Sequence, residues 1–263
     1  MATPDTVGRG DDRSRTTAGS FGAGRALLVF LAWVGGQIVG GFLGAVSGMF
    51  YLMSMGLELD DASKIEQHMV ELLTPALAVG TITGAVAMIV AALTLARPHM
   101  REVSPTGVGW SRGPWRSLVL AAIVGLVVSS SFVLLVATID PDLADTELGP
   151  IARLAEQDER VRWIWAIVAV MVAPVTEELL FRGVLFSGFA KSWGVGISAT
   201  VVSVLFMLFH LAETLAYWPS IVAVGILTVG TIASRMMTNR LGPPIAMHLA
   251  YNTVLAIALI AGA

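Results

Sequence analysis

An all-α, polytopic transmembrane helical bundle is the fold class predicted by this sequence, on three observations. Of 263 residues, 56% are hydrophobic and only 13% charged, whereas a soluble domain of this size has roughly a quarter of its residues charged. The polar residues are segregated into the first 25 positions and a few short connections. Between them lie apolar runs long enough to cross roughly 30 Å of hydrocarbon.

Taken in order, residues 1–25 are rich in Thr, Ser, Gly, Asp and Arg and are expected to form a disordered cytoplasmic tail. The apolar run that follows exceeds the roughly 7–15 residues of a signal-peptide core, which favours a retained anchor helix. The N-terminal transmembrane helices occupy 26–138, near 26–54, 70–96 and 116–138. An acidic extracytoplasmic loop is expected over 139–161. The C-terminal transmembrane helices fill 162–263, near 162–190, 196–215, 219–236 and 243–262. That makes seven spans, with an eighth only if 162–190 and its successor break differently.

Loop charge sets the expected orientation. The tail carries Arg9, Arg13, Arg15 and Arg25, and the second connection carries Arg97, Arg101, Arg112 and Arg116. With seven crossings, Lys191, Arg235 and Arg240 join that side, opposite the acidic stretches Glu58 to Glu71 and Asp140 to Glu159. The N-terminus is therefore expected in the cytoplasm and the protein in the cell membrane, with lipids as its solvent. The absence of cysteine excludes disulfides, thiolate metal sites and a cysteine nucleophile. A net charge of −3 without a basic stripe argues against nucleic acid as a partner.

Gly36, Gly40, Gly44 and Gly48 recur every four residues on the first helix, and Gly80 and Gly84 repeat the spacing on the second. Small residues at that interval form a groove for a second helix. Packing within the chain is the favoured use, with a homo-oligomer or helix partner as the alternative.

Chemistry is expected where ionisable groups interrupt apolar helices, because each is costly in lipid. The fourth span contains Glu177, Glu178 and Arg182, the fifth His210, and the seventh His248 and Asn252. Adjacent helical residues point about 100° apart, so the two glutamates should not face one small site. Glu178 and Arg182, four apart with the acid first, suit a structural ion pair, which leaves Glu177 for chemistry. His248 and Asn252 share a face, and a neutral imidazole and a carboxamide can both donate toward an oxyanion. Glu177 and His210 can hold and deprotonate a water. Pro174 is expected to kink the fourth span, or to restart it as a half-helix capped by Thr176. Singly, each polar group is more often helix glue than catalyst; it is their conjunction on three helices that points to a site.

In this order Glu-Glu-x-x-x-Arg at 177–182, Phe-x-x-x-His at 206–210 and His-x-x-x-Asn at 248–252 resemble the three motifs of the CAAX-protease and bacteriocin-processing family. The resemblance spans about 90 residues from Pro174 onward. It implies an intramembrane endopeptidase acting on a peptide or membrane-protein substrate. Glu177 and His210 would activate water, and His248 and Asn252 would form the oxyanion hole. The family has also been described as a metalloendopeptidase; a zinc ion would then sit on Glu177, His210 and His248, but no metal or other cofactor is favoured here. The alternatives are a non-catalytic binding or immunity protein using the same polar core, and a proton-coupled transporter. One geometric demand remains. In straight spans starting at common planes, His210 and His248 would differ by roughly 15 Å in depth, so a shared site needs a broken, tilted or later-starting helix.

Overall fold

A computed structural model describes residues 21–56, 68–139, 159–211 and 218–261. Among them all regular structure is helical, in one 3-10 turn at Arg97–His99 and seven long helices. These are α1 (Ala23–Ser54), α2 (Met69–Leu95), α3 (Trp115–Ile139), α5 (Val195–Phe209), α6 (Pro219–Thr238) and α7 (Gly242–Ala261), with α4 running unbroken from Glu159 to Trp193. Each expected span coincides with one helix. α1, Leu72–Leu95 of α2, α3, Arg162–Trp193 of α4 and α6 are long and apolar enough to cross a membrane. α5 is apolar but has only 15 residues, about 22 Å at the helical rise, shorter than the expected 196–215. The first helix also begins earlier than expected: Phe21 is buried and α1 starts at Ala23. The rest of the tail, most of both acidic stretches and Glu213 lie outside the described residues.

The outer surface is apolar. Leu31, Phe42, Phe50, Leu120, Leu134 and Met237 are all exposed, as suits helices solvated by lipid. The core is built on α4, whose Leu180, Phe181, Val184, Leu185 and Phe186 are fully buried against Val29 and Trp33 of α1 and Phe206 of α5. The glycine groove holds the chain's own α2. A Cβ at Gly36, Gly40 or Gly44 would overlap α2 main-chain atoms, and Thr83 Oγ1 donates to Gly36 O at 2.7 Å. Gly125 of α3 likewise admits the main chain of Met247 on α7.

The depth problem is solved at the turns. The α4–α5 turn is at Gly194, but the α6–α7 turn packs Leu241 onto Gly183, ten residues before Trp193 on α4, or about 15 Å along the helix. The connection after α2 fills the difference. Leu241 N donates to Gly109 O at 2.9 Å and Gly242 N to Ser111 O at 3.0 Å, with Val108 buried beside them. α7 therefore starts deep, and His248, six residues into it, reaches the level of His210. The start of α1 meets both the end of α4 and the connection after α2. Ala23 N donates to Ser192 Oγ at 2.9 Å, and the Phe21 and His99 rings lie 5.8 Å apart.

Candidate active site

α4 widens twice. Val168–Val172 and Leu179–Leu185 are π-helical and flank the single α-turn Ala173–Glu178. Pro174 accounts for the first. Its ring conflicts with the carbonyl of Val170, and a wider turn relieves the conflict without breaking the helix. The expected half-helix restart is therefore not found. Thr176 does not cap one: its hydroxyl donates backward to Val172 O at 2.9 Å and Ala173 O at 3.0 Å.

Between the wide turns the two glutamates meet α5 and α7. Glu177 Oε2 lies 3.8 Å from His210 Nε2 and 3.9 Å from His248 Nε2. Glu178 Oε1 lies 2.9 Å from His248 Nδ1 and 3.2 Å from Arg182 Nη1. Glu178, Arg182 and His248 are sealed, whereas Glu177 and His210 retain 12% and 14% exposure. The Glu178–Arg182 pair is as expected, but the inference that neighbouring glutamates cannot serve one site is corrected. An imidazole carries its nitrogens on opposite edges, so His248 spans the angle between the two carboxylates.

The hydrogen bonds fix which nitrogens carry protons. A carboxylate paired with a guanidinium accepts, so His248 Nδ1 is the donor to Glu178. Its Nε2 can then donate only when the ring is an imidazolium, which corrects the expectation of a neutral donor. His210 Nδ1 donates to Phe206 O at 3.0 Å, which leaves its Nε2 an acceptor when the ring is neutral. Asn252 shares the His248 face, but its Nδ2 donates to Ala169 O at 2.7 Å, a carbonyl of the first wide turn. Its second N–H is not part of that bond.

Two participants were given no role in the site from the sequence. Phe206 lies under Arg182, with the guanidinium carbon 4.0 Å from the ring centroid, and its ring is 4.4 Å from that of His210. The four-residue spacing of Phe206 and His210 was the available signal. Arg235, counted with the loop cations, is fully buried on α6. Glu177, His210 and His248 stand wider apart than the ligands of a formed zinc site. Tetrahedral ligands stand roughly 3.3 Å apart, against 3.8 and 3.9 Å here, and among the described residues no three His, Asp or Glu side chains are set to hold one metal ion.

Residues 159–254, a little over a third of the chain, match the family model described as type II CAAX prenyl endopeptidase Rce1-like. No curated protein and no solved structure matches the chain. The matched stretch includes both wide turns, both glutamates, both site histidines and Asn252. The matched stretch of this integral membrane protein is thus similar to Rce1-like endopeptidases, in line with the CAAX-protease and bacteriocin-processing family that its motifs resemble.

Proposed function

We propose that the chain is an intramembrane endopeptidase that hydrolyses a peptide or membrane-protein substrate with a water held by Glu177 and His210. One observation carries this reading. Glu177 Oε2 stands 3.8 and 3.9 Å from the Nε2 atoms of His210 and His248, too far for direct hydrogen bonds and a span that one water bridges.

The acceptor state of His210 Nε2 and the Glu177 carboxylate suit the two protons of that water. As its oxygen bonds to the peptide carbonyl carbon, one proton passes to Glu177. The carbonyl oxygen becomes an oxyanion, opposite the imidazolium N–H of His248 and the remaining N–H of Asn252. Collapse of the intermediate breaks the C–N bond, and the proton on Glu177 goes to the leaving amine. Fixed donors of this kind are most effective where water is scarce, as inside a membrane. The N-terminus faces the cytoplasm of a cell membrane in this reading, since Arg25, Arg97, Arg101, Arg112 and Arg116 lie at the basic end.

The test uses purified protein in nanodiscs with a library of membrane-anchored peptides, new termini being read by mass spectrometry. Wild-type protein should generate them, and His210→Ala should not, though it still binds the same peptides. Cleavage by His210→Ala at the wild-type rate overturns the reading. Binding without cleavage by the wild type points to a non-catalytic binding protein.

A further inference from the structure

We propose that Arg235 is a positioning residue for this site: it holds the second wide turn of α4 and, through that turn, the angle at which Glu178 grips His248. The activity arm of the proposal rests on the hydrolytic reading above.

Arg235 is fully buried on α6, and its guanidinium donates to main-chain carbonyls. Nε donates to Arg182 O at 2.9 Å, and Nη2 donates to Gly107 O at 2.5 Å and Ser104 O at 3.3 Å. The guanidinium carbon lies 5.1 Å from the Phe186 ring centroid. Burying a cation is costly, and an apolar side chain of similar volume often serves stability as well or better. The carbonyls it takes supply the reason.

Where a turn with i→i+5 bonding returns to α geometry, one carbonyl is left without its usual amide partner, and a buried carbonyl needs a donor. Arg182 O lies in the middle of Leu179–Leu185 and receives its donor from Arg235. The first wide turn is treated alike, with Ala169 O taken by Asn252. Two side chains from two helices thus tie the wide turns on either side of Glu177 and Glu178.

The second tie leads straight to the site. Arg182, whose carbonyl Arg235 holds, places Nη1 3.2 Å from Glu178 Oε1, and that atom accepts from His248 Nδ1 at 2.9 Å. Without the tie, the turn can relax toward α geometry, which shifts the following residues by up to one position, or about 100° of rotation. Arg182 stays four residues from Glu178 but leaves its seat over the Phe206 ring, and the helix beyond it rotates against α5 and α6, so the Glu178–His248 bond loses its fixed geometry. The bonds to Ser104 and Gly107 anchor the same guanidinium to the connection that sets the depth of α7.

The experiment compares full-length wild type, Arg235→Lys and Arg235→Met, with Thr231→Val as a control. Thr231 is buried one turn earlier on α6 and bonds only within its own helix, to Leu227 O and Thr228 O. Lysine keeps the charge and the stem, but one nitrogen cannot span Arg182 O and the carbonyls at 104 and 107, so this variant remains informative should Arg235→Met fail to fold. The first readout is the His248 Nδ1–H resonance of histidine-labelled protein, assigned by its disappearance in His248→Gln. It should be far downfield and slow to exchange in wild type, displaced or lost in Arg235→Lys, and unchanged in Thr231→Val. The second readout is kinetic: kcat should fall roughly 10–100-fold in Arg235→Lys with KM changed less than about two-fold. An unmoved resonance in Arg235→Lys, or an equal displacement in Thr231→Val, overturns the proposal. If the wild type hydrolyses no peptide, the hydrolytic reading falls and the resonance alone still decides the role of Arg235.

Discussion

Glu178 Oε1 accepts from His248 Nδ1 at 2.9 Å while standing 3.2 Å from Arg182 Nη1, so a single buried oxygen joins α4 to α7. Replacing it should expose how the buried charges depend on one another. Glu178→Gln takes from buried Arg182 its paired carboxylate and should destabilise the protein by about 3–5 kcal/mol. Glu178→Gln combined with Arg182→Met should recover much of that loss without restoring hydrolysis. Chemical unfolding in detergent measures the first effect and a peptide-cleavage assay the second.

The hydrogen bonds of His248 predict how the site responds to its replacement. Its Nδ1–H already serves Glu178, so only an imidazolium can also donate from Nε2. His248→Gln removes that cation and should lower the rate of peptide hydrolysis by about 10²–10³-fold. Cleavage by this variant at the wild-type rate would remove His248 from the oxyanion hole.

Two glycines of α1 should respond oppositely to the same change. At Gly44 an added Cβ meets the main chain of Pro75 and Ala76, whereas at Gly35 it meets nothing within 4 Å. Gly44→Ala should cost about 1–3 kcal/mol through overpacking, and Gly35→Ala should add about 0.5–1 kcal/mol through helix propensity. Unfolding midpoints measured side by side decide the matter.

Outside the spans, the Glu102 carboxyl is held below its ordinary value of 4.5, first by a hydrogen bond from His99 and then by one from Ser104. A lowered carboxyl contributes stability that is complete above its unfolded value and is lost as pH falls through its folded value. Wild-type protein should therefore exceed Glu102→Gln in stability at neutral pH and lose that margin in acid. The side chain is 43% exposed, so the margin should stay under about 1 kcal/mol. Melting temperatures of both proteins across the acid range provide the check.

The spans were legible because hydrophobicity is written in consecutive residues. All seven helices fall where apolar runs predicted them, and the glycine spacing marked the α1–α2 contact. The candidate residues were legible for the complementary reason, as ionisable groups that lipid would otherwise reject. Long-range structure was not. The raised α6–α7 turn depends on Val108, Gly109 and Ser111 filling space beneath Leu241, a tertiary fact with no periodic signature. The π-turns were hidden for a similar reason: Pro174 signals strain, but whether a helix breaks or widens depends on donors such as Asn252 and Arg235, far away in sequence. His248 touching both carboxylates follows from that widened helix and from ring geometry, which angular spacing along a regular helix does not capture.

The most direct test of the account is the rate at which Glu177→Gln protein cleaves a labelled transmembrane peptide, measured beside the wild type in the same nanodiscs. Glutamine preserves shape and removes the base, so the account predicts a loss of about 10²–10⁴-fold at an unchanged unfolding midpoint. Hydrolysis by Glu177→Gln at the wild-type rate would contradict it.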